Sequence, residues 1–151
     1  MSWKDTFKKL LGKKKPVIKK SSFCEQGVYD LQQIFSEINL QYFSGALDLS
    51  IHWFGRKKTS RRIRRKVLGY YDSKNKRIKI HHSLNNSFYP PYFIAYVVYH
   101  EMLHSAEPPI QGLYKRKVHH KEFRDKEKLF HGYGQAKEWE KQNLEKILNG
   151  R

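Results

Sequence analysis

The stretch "YFIAYVVYHEMLHSAE", residues 92–107, constrains the fold more than any other part of the chain. Its apolar residues occur nearly all the way round a helix, so the spacing predicts a central helix buried on most sides. Pro108-Pro109 must stop it, because a residue before proline is pushed out of the helical region. The preceding "NNSFYPP" reads as a loop, with Asn86 or Ser87 as candidate caps and two prolines where a first turn tolerates them. Three polar residues, His100, Glu101 and His104, interrupt this apolar helix. Burying them without satisfying them costs several kcal/mol, on the order of ~2–7 for a single unpaired polar group.

The rest of the chain supplies what such a helix packs against. From Phe23 to Phe43, Val28, Leu31, Ile34, Phe35, Ile38 and Tyr42 recur at helical steps, and Ser44-Gly45 ends the run. Residues 47–54, "LDLSIHWF", alternate Leu47, Leu49, Ile51 and Trp53 on one face, which predicts a strand. Further strands are expected around "KVLGYYD" and "KRIKIHH", with the turn "DSKN" between them. The expectation is a three-stranded antiparallel meander. Residues 107–118 read as a loop, His119 to Phe130 as a helix, and "QAKEWEKQNLEKIL" as a last helix packing through Trp139, Leu144, Ile147 and Leu148. The fold class is α+β, with a basic arm over residues 1–22 and one domain over 23–151.

The formal charge of +17, from 31 Lys and Arg against 14 Asp and Glu, speaks to partners rather than to fold. Polyanions are the natural ones, and nucleic acid is the commonest, DNA before RNA. Residues 1–20 hold eight lysines and one acid, a mobile basic tail or a nucleic-acid contact, with an anionic membrane surface as a lesser reading. In "RKKTSRRIRRK", residues 56–66, eight of eleven are basic: Arg56, Lys57, Lys58, Arg61, Arg62, Arg64, Arg65 and Lys66. Planar guanidinium forks suit phosphate, and Lys115, Arg116 and Lys117 form another cluster. Trp53, Phe54, Tyr70 and Tyr71 have rings that stack on bases, although strand residues more often pack into a core. No apolar run reaches membrane-spanning length and no secretory h-region opens the chain. Cys24 is the lone cysteine, which suits a reducing cytoplasm and excludes a four-cysteine zinc ribbon.

The metal chemistry of "HEMLH" follows from helical geometry. Positions i and i+4 share a face, so His100 and His104 reach one ion together. Glu101 sits about 100° round the helix, close enough to touch a metal-bound water without ligating. A catalytic zinc site has three protein ligands and one open position, so a third ligand comes from elsewhere. Downstream candidates are Glu107, His119, His120, Glu122, Glu127 and His131. With "HHKEFRDKEKLFH" as one helix, His119 shares a stripe with Phe123 and Phe130. His120 then falls on a solvated face with Arg124, Glu127 and His131, and Glu122 remains the alternative to His119. His81 and His82 read as ordinary strand-end residues.

At this point the chain resembles the SprT-like zinc metalloproteases, a Spartan-related protease core. The resemblance runs from about Tyr29 to Phe130 and rests on "EINLQYFSGALD", "LGYYD", "RIKIHHSL", "VVYHEMLHSAE" and "HHKEF". It implies a zincin-like core and one zinc ion held by His100, His104 and His119, with Glu101 as catalytic acid/base. The family's third-ligand element is H-G-x-x-F, and here His120 stands where the glycine is usual. Two function classes follow. One is a zinc endopeptidase whose basic surface brings it to nucleic acid and the proteins bound there. The other is a nucleic-acid-binding protein with a zinc-stabilised helix and little peptidase activity. A peptidase acting on ordinary soluble substrates is a third reading. Tyr114, His131 and Tyr133 are candidates for stabilising an oxyanion.

Overall fold

A computed structural model of the chain describes residues 28–56 and 66–149. The basic arm over 1–22 lies outside them, as do Lys57, Lys58, Arg61, Arg62, Arg64 and Arg65. Among the described residues are four α-helices, a three-stranded sheet and a two-stranded hairpin, an α+β arrangement.

Helix α1 spans Leu31–Phe43 and starts later than the periodicity predicts. The reason is a cap: Asp30 is extended, and its Oδ1 accepts from the Gln33 amide at 3.1 Å. Val28 and Tyr29 therefore precede the helix, and both of their amides donate to Asn85 Oδ1. At the other end Ser44 turns left-handed with φ 54°, which ends the helix where the sequence placed its stop.

Strand β1, Ser50–Phe54, is shorter than expected. The Leu47 backbone bonds instead to the Asn39 side chain, through 3.1 Å and 2.9 Å contacts, so Leu47 serves helix α1 rather than the sheet. Strands β2, Gly69–Asp72, and β3, Arg77–His81, form the predicted hairpin. Its turn is closed by Asp72, whose carboxylate accepts from the backbone and side chain of Asn75.

The sheet is not the expected antiparallel meander. Its order is β1-β3-β2, with β1 parallel to β3 and β2 antiparallel to it. In an up-down-up path the first and third strands run the same way. Burial decides which strand is central. Ile78 and Ile80 of β3 are fully buried, whereas β2 exposes Tyr70 and suits an edge. Ile51, Trp53, Ile78, Ile80, Gly69 and Tyr71 share the inner face by register. Each fully buried Ile contributes about 1.5–3 kcal/mol of burial.

Helix α2, Pro91–Ala106, lies against that inner face and buries ten of its sixteen residues, which is why its sequence is apolar all round. Neither Asn86 nor Ser87 caps it. Pro90 occupies the cap position and Pro91 the first turn, where a missing N–H removes a donor that would have no partner. Asn86 Oδ1 takes the Phe88 amide instead. The expected loop after α2 contains the hairpin β4 (Ile110–Gln111) and β5 (Arg116–Lys117).

Helix α3 covers only Lys121–Glu127, and helix α4 spans Tyr133–Asn149. Trp139 of α4 packs on Phe88, Tyr89 and Phe93, and Ile147 is buried. Leu144, expected in the core, is 51% exposed. No helix among the described residues is long and apolar enough to cross a membrane.

Candidate metal centre

His100 and His104 stand one turn apart on α2, and His119 comes to them from the segment just before α3. The ligand atoms of the three lie within 4.8 Å of one another. His104 Nε2 is 3.3 Å from His100 Nε2 and 3.3 Å from His119 Nε2. Nitrogens bound at ~2.0–2.1 Å around a tetrahedral ion stand roughly 3.3–3.4 Å apart, so both edges have the spacing of a metal triad. Phe123, fully buried, forms the floor: its ring centroid lies 5.2, 4.7 and 4.9 Å from those of His100, His104 and His119.

Protonation is arranged to match. His100 Nδ1 lies 2.6 Å from Glu127 Oε1, and a carboxylate only accepts, so Nδ1 carries the proton and Nε2 is the atom facing His104. The Tyr96 hydroxyl donates to the same oxygen at 2.6 Å. Burial alone would raise the Glu127 carboxyl, but the bonds from His100 and Tyr96 hold it below the usual range. Burial, reinforced by the neighbouring His100 and His119, pushes His104 down to about 3. His119 is lowered too, by desolvation and then by His100. Both shifts favour the neutral imidazole at His104 and His119.

Helical periodicity places Glu127 on a solvated face, but the structure brings it into the site. Its side chain is only 13% exposed, because Tyr99 of α2 donates to the Lys126 carbonyl at 2.7 Å and draws the end of α3 inward. The usable signal was the carboxylate itself, four residues beyond Phe123 on a helix that must pack on α2.

His120 is also not on a solvated face. It is 7% exposed and caps α3, with Nδ1 facing the Phe123 amide. Its Nε2 lies 3.2 Å from the Pro108 carbonyl, which only accepts, so Nε2 is protonated and is no metal donor. His119 therefore reaches the centre from outside the helix, not from the helical stripe the sequence suggested. Exposed Glu122 has Oε2 3.0 Å from His120 Nδ1, and Glu107 pairs with Lys126. The backbone amide of exposed His131 donates to the Tyr42 hydroxyl.

Glu101 is 6% exposed and points between α2 and β2. Burial pushes its carboxyl up to about 7, with the nearby His100 opposing the shift. Gly69 makes this position possible: a Cβ there would sit 3.1 Å from Glu101 Cγ and 3.0 Å from the Lys79 carbonyl. Beside the triad lies a cleft of about 490 Å³, lined by His100, Glu101, His119, Tyr96, Arg124 and Glu127 with Lys66–Gly69 and α4 residues Lys137 and Glu140. Of the oxyanion candidates, Tyr114 is 96% exposed on the hairpin, and Tyr133 packs on Tyr96.

The basic residues divide. Arg56, Lys115, Arg116 and Lys117 are exposed. Lys66 is half-buried, and its ammonium donates to the Ile147 carbonyl at 3.2 Å, the negative end of α4.

A helix-borne histidine pair, a third histidine from a following segment and a buried glutamate beside a cleft form a candidate metal site. The SprT-like family model matches residues 31–139, and the chain belongs to the SprT-like family. No curated protein and no solved structure matches the chain at a significant level.

Proposed function

We propose that the chain is a zinc-dependent endopeptidase acting on proteins associated with nucleic acid. The observation that carries the reading is the convergence of three imidazoles beside a buried glutamate on an open cleft. A purely structural site needs no such glutamate, and three imidazoles suit zinc.

His100, His104 and His119 would hold the ion. When bound, zinc supplies a Lewis acid and acidifies a water. Glu127 keeps His100 in the ligating tautomer, and Phe123 keeps the three rings together. Glu101, with a carboxyl poised near 7, takes a proton on a carboxylate oxygen and returns it to the leaving amine. Gly69 leaves that carboxylate room to move beside β2. Association with nucleic acid rests on the +17 charge and the cluster at 56–66.

The test is metal content by mass spectrometry, followed by cleavage of a nucleic-acid-bound protein with Glu101→Gln as control. One zinc per chain and cleavage lost in Glu101→Gln support the reading. Wild type without zinc after reconstitution overturns it. A zinc-loaded wild type that never cleaves leaves instead a zinc-stabilised nucleic-acid-binding protein.

A further inference from the structure

The register of the sheet separates its aromatic residues into two groups. Trp53 and Tyr71 face the core, while Phe54 and Tyr70 face the other way, on the side not packed on α1 and α2. On that outer face Phe54 lies 5.0 Å from Tyr70 and 5.1 Å from His81, centroid to centroid, so one ring from each strand joins a continuous aromatic patch. Tyr70 is 42% exposed. The patch lies at the end of the sheet where β1 ends and β2 begins.

Charge on the same face is mostly positive. Arg77 and Lys79 lie on it by register, and exposed Arg56 follows two residues after Phe54. Asp72, the acid among its described strand residues, is engaged by Asn75 within the turn. Among the described residues no helix packs on this face.

We infer that the outer face of the three-stranded sheet is a binding platform for single-stranded nucleic acid, with bases stacking on Tyr70 and Phe54 and phosphates meeting Lys79, Arg77 and Arg56. A duplex keeps its bases stacked on each other, so exposed rings flanked by cations select unpaired strands. Cations alone would serve a duplex equally well; the three-ring patch is what favours the single strand. The inference deepens the nucleic-acid part of the function proposed above and does not depend on peptide cleavage. A strand held here lies one sheet away from the cleft, whose wall includes Leu68 and Gly69.

The test is fluorescence anisotropy of zinc-loaded full-length protein with labelled oligothymidylate, the matching duplex, and vesicles of phosphatidylserine and phosphatidylcholine. Tyr70→Ala and Phe54→Ala are each expected to weaken oligothymidylate binding roughly 5- to 100-fold with the salt slope unchanged. Tyr70→Phe keeps the ring and retains affinity. Lys79→Ala weakens binding and lowers the salt slope by about one contact's worth. Melting temperature and zinc content identify variants that fail to fold, and exposed Tyr70 is the position least prone to that. Wild-type affinity in folded Tyr70→Ala and Phe54→Ala overturns the inference. So does equal loss of duplex binding, or loss of vesicle binding alone. Glu101→Gln should bind the oligonucleotide as wild type does, which separates this result from failure of the peptidase reading.

Discussion

The imidazole of His100 and the carboxylate of Glu127 are locked together, Nδ1 to Oε1 at 2.6 Å, across the contact between α2 and α3. One proton position follows from this contact, and with it the orientation of a metal ligand. Removing such a partner typically costs 10- to 100-fold in metal affinity, as an order-of-magnitude figure. Glu127→Ala is therefore expected to weaken zinc binding about 10- to 100-fold. Glu127→Gln, which still offers an accepting oxygen, loses less. Competition with a chromophoric chelator measures both, and equal affinity in Ala and wild type would remove Glu127 from the centre.

Adjacent histidines should behave oppositely. His119→Ala loses the zinc, because its Nε2 faces the triad. His120→Ala keeps the zinc and lowers stability by about 1 kcal/mol, since it removes a helix cap and a bond to the Pro108 carbonyl. Metal content together with urea unfolding separates the two.

Gly69→Ala tests the space around Glu101. Its new Cβ meets the Lys79 carbonyl at 3.0 Å and Glu101 Cγ at 3.1 Å, and the backbone oxygen has little freedom to retreat. The expected outcome is zinc retained and kcat reduced by roughly tenfold or more, the effect of misplacing a catalytic group by a fraction of an ångström. Unchanged kcat would show that Glu101 has slack on the β2 side.

The pH dependence of the metal-free protein tests the burial of Glu101. With a native value near 7 against an ordinary 4.5, the folded state holds a proton that the unfolded state releases between those limits. Stability from this group falls as pH rises from 4.5 to 7, by on the order of 3 kcal/mol. The His104 imidazole, held down to about 3, contributes the opposite slope between that value and 6.5. Glu101→Gln removes only the first term. In chelator the variant should match wild type near pH 5 and melt above it at pH 8. Equal melting temperatures at pH 8 would mean the carboxylate is solvated in the metal-free state.

Two local patterns carried most of what was legible in advance. The "HEMLH" spacing fixed two imidazoles on one helical face, and the unbroken apolar run around it required that helix to be central. The "DSKN" turn between alternating segments gave the β2–β3 hairpin, and Ser44-Gly45 gave the end of α1. All of these depend on neighbours within a few residues, where backbone geometry leaves little choice.

Sequence alone determined a buried helix carrying two histidines on one face, an α+β class and a strongly cationic chain. Tertiary structure decided the rest, because the deciding contacts join residues far apart in the chain. β3 took the centre of the sheet since Ile78 and Ile80 bury fully between two neighbours, which made β1 parallel to it. Tyr96 and Tyr99 drew α3 against α2, so Glu127 came to His100 rather than to solvent. The Pro108 carbonyl claimed His120, leaving its neighbour His119 to complete the triad. Helical periodicity orders residues on one element, but which partner a polar side chain meets is set by the element packed against it.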